Sequence, residues 1–274
     1  MSIKNLDAYF TIARQHLICE DYAFTAVDPI PHIVLSDGCS SSVSTDIGAR
    51  ILAASANKTL REHFENESFE GLPSYTDFGY AVANRARHAV DMLGLPAHAL
   101  DATLLLAIPY HHQIHVYAYG DGYILTRDTD GHIGAVQLSF ADNMPFYLSY
   151  WLDKARREGY IEANGGGKGV LTIQGIQNND EQIRTADYDA ALIFPFNLNA
   201  FSAIALASDG VASFMSIEEQ QRIPDIDIIE QLLAYKTTKG DFVKRRVRRM
   251  LKTYANDYIH PTDDLAVATL LIGD

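Results

Sequence analysis

Three apolar runs in this chain stop on a carboxylate, and no other feature constrains its fold as tightly. Ile33-Val34-Leu35 leads to Asp37-Gly38, Val116 to Tyr119 leads to Gly120-Asp121, and Ile204 to Ala207 leads to Ser208-Asp209-Gly210. Such runs read as buried strands. Two further acidic groups, Glu20-Asp21 and Thr262-Asp263-Asp264, instead lead into strands. Antiparallel neighbours set the end of one strand beside the start of the next, so both kinds belong on one sheet edge. Each Asp-Gly pair alone is an ordinary turn signal. Repeated with one polarity, they gather carboxylates that would repel one another unless cations were bound. Magnesium and manganese, which prefer oxygen ligands, suit such a cage.

The remaining pattern predicts a largely antiparallel protein with helices. Strands are expected around Tyr9 to Arg14, Asp21 to Ala26 and His32 to Ser36, then a helix from Thr45 to Phe64 capped by Ser44 or Thr45. A second helix is expected from Tyr75 to Leu93. Thr103 to Ile108 and Ile114 to Tyr119 form a hairpin, and Tyr123 to Arg127 continues it through the turn Asp128-Thr129-Asp130-Gly131. From about 141 to 187 periodicity weakens, which reads as an irregular insertion or lid over the sheet edge. Ser216-x-x-Glu219 has the form of a capping box and predicts a helix there; another, Asp241 to Tyr258, precedes the last strand, Leu265 to Ile272. No repeat or linker divides the chain, which reads as one domain over residues 1–274.

Composition excludes some partners. With 47% hydrophobic residues, 274 residues can bury a sizeable core, whereas a net charge of −13 and a pI near 5.1 disfavour nucleic acid and anionic membrane. The two cysteines, Cys19 and Cys39, provide neither a disulfide framework nor a thiolate zinc site. They read as small buried apolar residues, with a redox-sensitive thiol near the metals as the alternative. The N-terminus lacks the pattern of a signal peptide and no segment has the length of a membrane span, so a cytoplasmic location is expected.

In order along the chain, Cys19-Glu20-Asp21, Ser36-Asp37-Gly38, Asp101-Ala102-Thr103, Gly120-Asp121, Ser208-Asp209-Gly210 and Asp263-Asp264 resemble the metal-dependent Ser/Thr protein phosphatases of type 2C. The resemblance implies an α+β fold, a central antiparallel β-sandwich flanked by helical layers on both sides (αββα), with two Mn2+ or Mg2+ ions at one edge. It implies that Asp37 bridges both ions with the Gly38 carbonyl on one, that Asp209 and Asp263 complete the other shell, and that Glu20 and Asp21 act through metal-bound water. Asp121 matches the position of a third, weaker metal shared with Asp209. The implied reaction is hydrolysis of phosphoserine or phosphothreonine in proteins by a water or hydroxide bridging the two cations, with Asp37, Asp209 and Asp263 catalytic through it and no phosphoenzyme. Asp128-Thr129-Asp130-Gly131 has the spelling of a nucleophile motif but reads as a hairpin turn, and the downstream ligands of a calcium loop are missing.

The chain also departs from the family. His16 stands where many relatives carry an arginine that clamps the phosphate; it is a candidate phosphate contact, with Arg14 and Arg50 in reserve. The usual Asp-Gly-x-Gly-Gly loop reads Asp37-Gly38-Cys39-Ser40-Ser41, with Cys39 in place of a histidine proposed to protonate the leaving group. Ser213 replaces a further acidic ligand, which puts the third metal in question. Gly165 to Gly169 lacks the spacing of a nucleotide-binding loop, Lys244 to Arg249 reads as a solvated helix face, and Phe146 to Trp151 as lid packing. These departures motivate an alternative, a catalytically silent relative serving as a binding or regulatory module; hydrolysis of small phosphoesters is a third reading. The oligomeric state is left open.

Overall fold

A computed structural model of the chain describes residues 2–66, 71–177 and 180–273. The strands are β1 Ser2–Thr11, β2 Asp21–Ala26, β3 His32–Asp37, β4 Leu104–Tyr110, β5 Gln113–Tyr119, β6 Gly122–Asp128, β7 Ile133–Phe140, β8 Leu171–Gln177, β9 Asp180–Ala186, β10 Ile193–Asn197, β11 Phe201–Ala207, β12 Phe214–Ser216, β13 Gln221–Arg222, β14 Ile259–Pro261 and β15 Leu265–Gly273. The helices are α1 Thr45–Glu65, α2 Tyr75–Met92, α3 Lys154–Ala163, α4 Asp225–Leu233 and α5 Phe242–Asn256. Among the described residues no helix is long and apolar enough to cross a membrane.

Two sheets carry the fold. One has seven strands in the order β1-β15-β11-β6-β7-β8-β9, the other five in the order β10-β5-β4-β3-β2, and β13-β12-β14 form a small third sheet. The strands pair antiparallel throughout the two large sheets. Two interior strands are buried on both faces: β15 from Leu265 to Ile272 and β3 from His32 to Ser36. A strand covered on both sides loses the polar alternation of a surface strand, hence the continuous runs in the sequence. The sheets pack face to face, with β1, β15 and β11 against β2, β3 and β4.

Helices close the sandwich. α1 and α2 cover the five-stranded sheet, and their buried Leu52, Ala56, Leu60, Phe78, Val82 and Val90 join the inter-sheet core. α4 and α5 cover the seven-stranded sheet through Ile228, Ile229, Leu232, Val243, Val247 and Met250. The layers are therefore αββα, as the resemblance implied.

Three expectations fail locally. The segment expected to be irregular, 141–187, holds short 3-10 turns, α3, and the strands β8 and β9 that extend the seven-stranded sheet. Among the described residues of β8 only Leu171 and Ile173 are buried, and this one-sided alternation is a weak signal. One of the two bonds of the Ser216 box forms, the Glu219 N–H donating to Ser216 Oγ at 3.2 Å, yet Ser216 ends β12 and the helix starts only at Asp225. Gln220 takes φ 52°, turning the chain back as β13 before Pro224 opens α4. Ser44 precedes α1 at φ 62° with no side-chain cap, while the Thr45 hydroxyl donates to Glu20 Oε1 at 2.5 Å.

Candidate metal centre

The register of β2 against β3 sets Asp21 directly opposite Asp37. Asp37 is held by its backbone: its N–H donates to Thr103 Oγ1 at 3.2 Å, and its carbonyl accepts from the Thr103 N–H at 2.8 Å. Gly38 then bridges Ala102. Asp121 sits where the chain leaves β5 of one sheet for β6 of the other. The flanking Gly120 and Gly122 take φ +104° and +126°, and a Cβ on Gly120 would lie 2.9 Å from the Thr103 side chain.

From the seven-stranded side, Ser208 locks the end of β11 to β15. Its Oγ donates to Asp21 Oδ2 at 2.7 Å and accepts from the Ala266 N–H at 3.0 Å. Asp209 follows, and Gly210 lets the Asp264 carbonyl approach so closely that an added Cβ would stand 1.8 Å from it. The Asp263 N–H donates to Ser213 Oγ at 3.2 Å, and Ser213 in turn donates to the Gly210 carbonyl at 2.8 Å. Ser213 therefore ties the two acidic loops together.

These elements enclose a cavity of about 300 Å³. Of the residues singled out from the sequence, Glu20, Asp37, Gly38, Asp121, Asp209, Asp263 and Asp264 line it, together with Cys39, Ser40, Ser41 and Tyr147. Asp21 lies beneath, 1% exposed. Asp121, Asp209 and Asp263 also line a neighbouring cavity of about 450 Å³, with Arg222 at its wall.

The electrostatics are one-sided. Burial, then Asp21, Asp209 and Asp121, push the Asp37 carboxyl well above the usual range. Burial also raises Asp21 well above it against the Ser208 hydroxyl, and raises Asp121 to about 8 with help from Asp209. Burial is likewise the main cause of the upward shifts of Asp209, Asp263 and Glu20. No lysine or arginine is among the described residues lining the smaller cavity. Carboxylate oxygens with a backbone carbonyl and no protein cation form a donor set that fits hard divalent ions.

His16 is not among the residues lining either cavity around these acids. Its Nδ1 lies 3.0 Å from Asp264 Oδ1 and 3.9 Å from Asp263 Oδ1. Asp264, 3% exposed, also accepts from the Ala13 and Glu20 N–H groups at 2.7 and 2.8 Å. Arg14 meets His260 Nε2 at 3.0 Å, and Arg50 donates to the Asp46 carbonyl and stacks on Phe10 and Tyr22. Both reserve arginines are thus engaged elsewhere. Asp128 accepts from the Asp130 and His132 N–H groups and forms the β6–β7 turn, as expected.

Sequence reasoning assigned Thr45 a capping role, placed Ser208 in a motif and Tyr147 in an aromatic stretch without a role for any of them at the site, and left Asp264 undistinguished from Asp263. The Thr and Ser carry no signature outside their fold, and only register separates two adjacent aspartates. The cysteines are half-buried, not core residues. Burial, then Asp264 and Asp21, push the Cys19 thiol up to about 12, which keeps it protonated and unreactive. Cys39 Sγ lies 3.0 Å from Ser41 Oγ.

An αββα sandwich with an oxygen-donor centre where its two sheets meet is the class of protein these observations define. The profile of the protein phosphatase 2C family matches residues 12–256, and the chain belongs to that family. Solved structures agree on the fold. The serine/threonine phosphatase Stp1 from Staphylococcus aureus is 12% identical at a TM-score of 0.56, covering 100% of this chain and 96% of that one. The catalytic domain of the phosphatase PstP, solved with two manganese ions, is 16% identical at a TM-score of 0.50, with 98% of each chain covered. The PPM phosphatase MsPP from Mycobacterium smegmatis, solved with cacodylate, is 16% identical at 0.50 over the whole of both chains. No curated protein sequence matches this chain.

Proposed function

We propose that this chain is a metal-dependent protein serine/threonine phosphatase. The observation that carries the reading is the set of carboxylates brought from both sheets to one cavity with no protein cation to answer them. Asp37 would be shared by two Mn2+ or Mg2+ ions, with the Gly38 carbonyl on one and Asp209 and Asp263 on the other. Glu20 and Asp21 would hold water ligands, and Asp121 with Asp209 a third, weaker ion. When bound, such cations supply a nucleophilic water at neutral pH and neutralise charge on the phosphoryl oxygens.

The chain's own residues prepare that chemistry. Thr103 and Ser208 keep Asp37 and Asp21 at fixed separation, so the cage costs no reorganisation when charge develops. Ser40 and Ser41 present hydroxyl donors to a phosphate in the cavity. Burial, then Asp121, raise the Tyr147 hydroxyl far above neutrality, so it stays a donor. His16 lines neither cavity and acts on the site by bracing Asp264 through Nδ1, a positioning role in place of a direct phosphate contact. The free thiols suit the reducing cytoplasm, which is part of this reading.

A titration of Mn2+ and Mg2+ against hydrolysis of a phosphopeptide and an aryl phosphate, with EDTA as control, tests the proposal. Cation-dependent turnover of the phosphopeptide is the expected result. Absence of turnover of either ester at any cation concentration would establish the second reading, a silent relative kept for binding, which His16 in place of an arginine clamp favours. A strong preference for metabolite phosphoesters would point to small substrates.

A further inference from the structure

Asp101 is a buried carboxylate that the metal centre does not use. It is 3% exposed, and three side chains donate to it: Ser149 Oγ to Oδ1 at 2.7 Å, Ser42 Oγ to Oδ2 at 2.9 Å and Arg156 Nη2 to Oδ2 at 2.8 Å. Its carbonyl accepts from the Cys39 N–H at 2.8 Å. The Arg156 guanidinium lies over the Tyr150 ring, 4.5 Å from the centroid, and its Nη1 is buried with no hydrogen-bond partner. Among the described residues, Asp101 is the one carboxylate in an ion pair with it.

The donors come from two chain segments that both line the acidic cavity. Gly38 to Ser41 form one wall, on the turn from β3 to α1, and Asn143, Pro145 and Tyr147 form the other, on the segment after β7. Ser42 follows the first wall, and Ser149 and Arg156 follow the second. Asp101 itself is fixed to the five-stranded sheet beside Ala102, which bridges Gly38. The second wall has a separate anchor in Trp151, whose ring centroid lies 5.0 Å from that of Tyr80 and 5.9 Å from that of Tyr119. Loss of the ion pair therefore loosens the mouth without detaching the segment.

We propose that Asp101 and Arg156 form a latch that sets the separation of the two walls and so positions a phosphorylated side chain carried on a peptide. The substrate part rests on the phosphatase reading; the latch itself does not. A small aryl phosphate needs only the strand-borne cage, whereas a phosphopeptide needs both walls in place. Arg156→Ala therefore raises the phosphopeptide KM about tenfold while changing aryl phosphate kcat/KM less than about threefold, since modest displacement of a positioning group has effects of this order.

Steady-state kinetics on the full chain with Mn2+ measure that split, and a second readout needs no activity. In a Cys19→Ser background, Arg156→Ala quickens the reaction of Cys39 with a thiol reagent about fivefold, because the segment that carries Arg156 and Tyr147 moves away from it more often. Arg156→Lys, which keeps the charge, restores both properties most of the way. Should Arg156→Ala fail to fold, Asp101→Asn, which removes the charge, keeps an acceptor for one serine and turns its amide NH2 to the hydroxyl oxygen of the other, is used with the same expected shifts. Equal losses on both substrates, or unchanged phosphopeptide KM together with unchanged Cys39 reactivity, overturn the latch. Quickened Cys39 labelling in a protein that hydrolyses neither ester retains the latch and sinks the phosphatase reading.

Discussion

Two sets of carboxylates lie within one network around the same cavity, and the protein treats them in opposite ways. Asp101 receives three donors, one of them the ion-paired Arg156, so its charge is settled inside the fold. Asp21, Asp37, Asp121 and Asp209 face chiefly one another, and burial with mutual repulsion raises all four. A carboxylate answered by the chain is architecture, because losing its partner strands a charge. A group left unanswered is costly to the apo fold and is relieved only by a cation from outside. The difference separates structural from functional acids without appeal to their position in the sequence.

The largest effect that would break this contrast is catalytic. Asp37→Asn is expected to lower cation-dependent turnover of an aryl phosphate on the order of a hundredfold to a thousandfold, since it removes charge at the reacting centre. Circular dichroism should show the fold retained, and retained turnover would refute the mechanism. Next comes the response to cations. Mn2+ at about a hundred times its dissociation constant should stabilise the wild type by about 2.7 kcal/mol in thermal unfolding, and Asp209→Asn should lose most of that gain.

Stability without cations sharpens the comparison, because the two sets should move in opposite directions. In EDTA, Asp101→Asn should destabilise by about 2 kcal/mol by leaving Arg156 unpaired, a value kept modest because that side chain is partly exposed. Asp37→Asn should stabilise by about 1 kcal/mol by removing one repelling charge. Urea midpoints measure both, and shifts of the same sign would erase the distinction.

The smallest expected effect is on pH dependence. Asp121 titrates near 8 in the fold against an ordinary value of 3.8, so between those limits the folded protein binds more protons than the unfolded chain. Stability in EDTA should therefore fall as pH rises from about 4 to about 8, and saturating Mn2+ should flatten that slope. A slope unaffected by the cation would place the titrating acids away from the site.

Much of this was legible in the chain itself. The strands around Asp37, Asp121 and Asp209 are local: a buried strand needs an apolar run and its end needs a turn residue, and both are written in neighbouring residues. The capping box at Ser216 shows the opposite case, since one of its hydrogen bonds forms while a positive φ at Gln220 sends the chain into β13 instead of a helix. β8 and β9 were hidden because β8 buries little beyond Leu171 and Ile173 among its described residues and the edge strand β9 is exposed over 181–185, so neither carries an apolar period.

By itself the sequence determined that carboxylates stand at strand ends, that the sheets are antiparallel, and that an excess of acid awaits a counter-charge. Only the tertiary structure decided that Glu20 lines the cavity while Asp21 lies buried beneath it, because in a strand successive side chains point to opposite faces and register sets the choice. It alone joined Asp101 to Arg156, 55 residues along the chain, and turned His16 toward Asp264, 248 residues away. Contacts at such separation depend on how two sheets pack, and no local pattern of residue types carries that information.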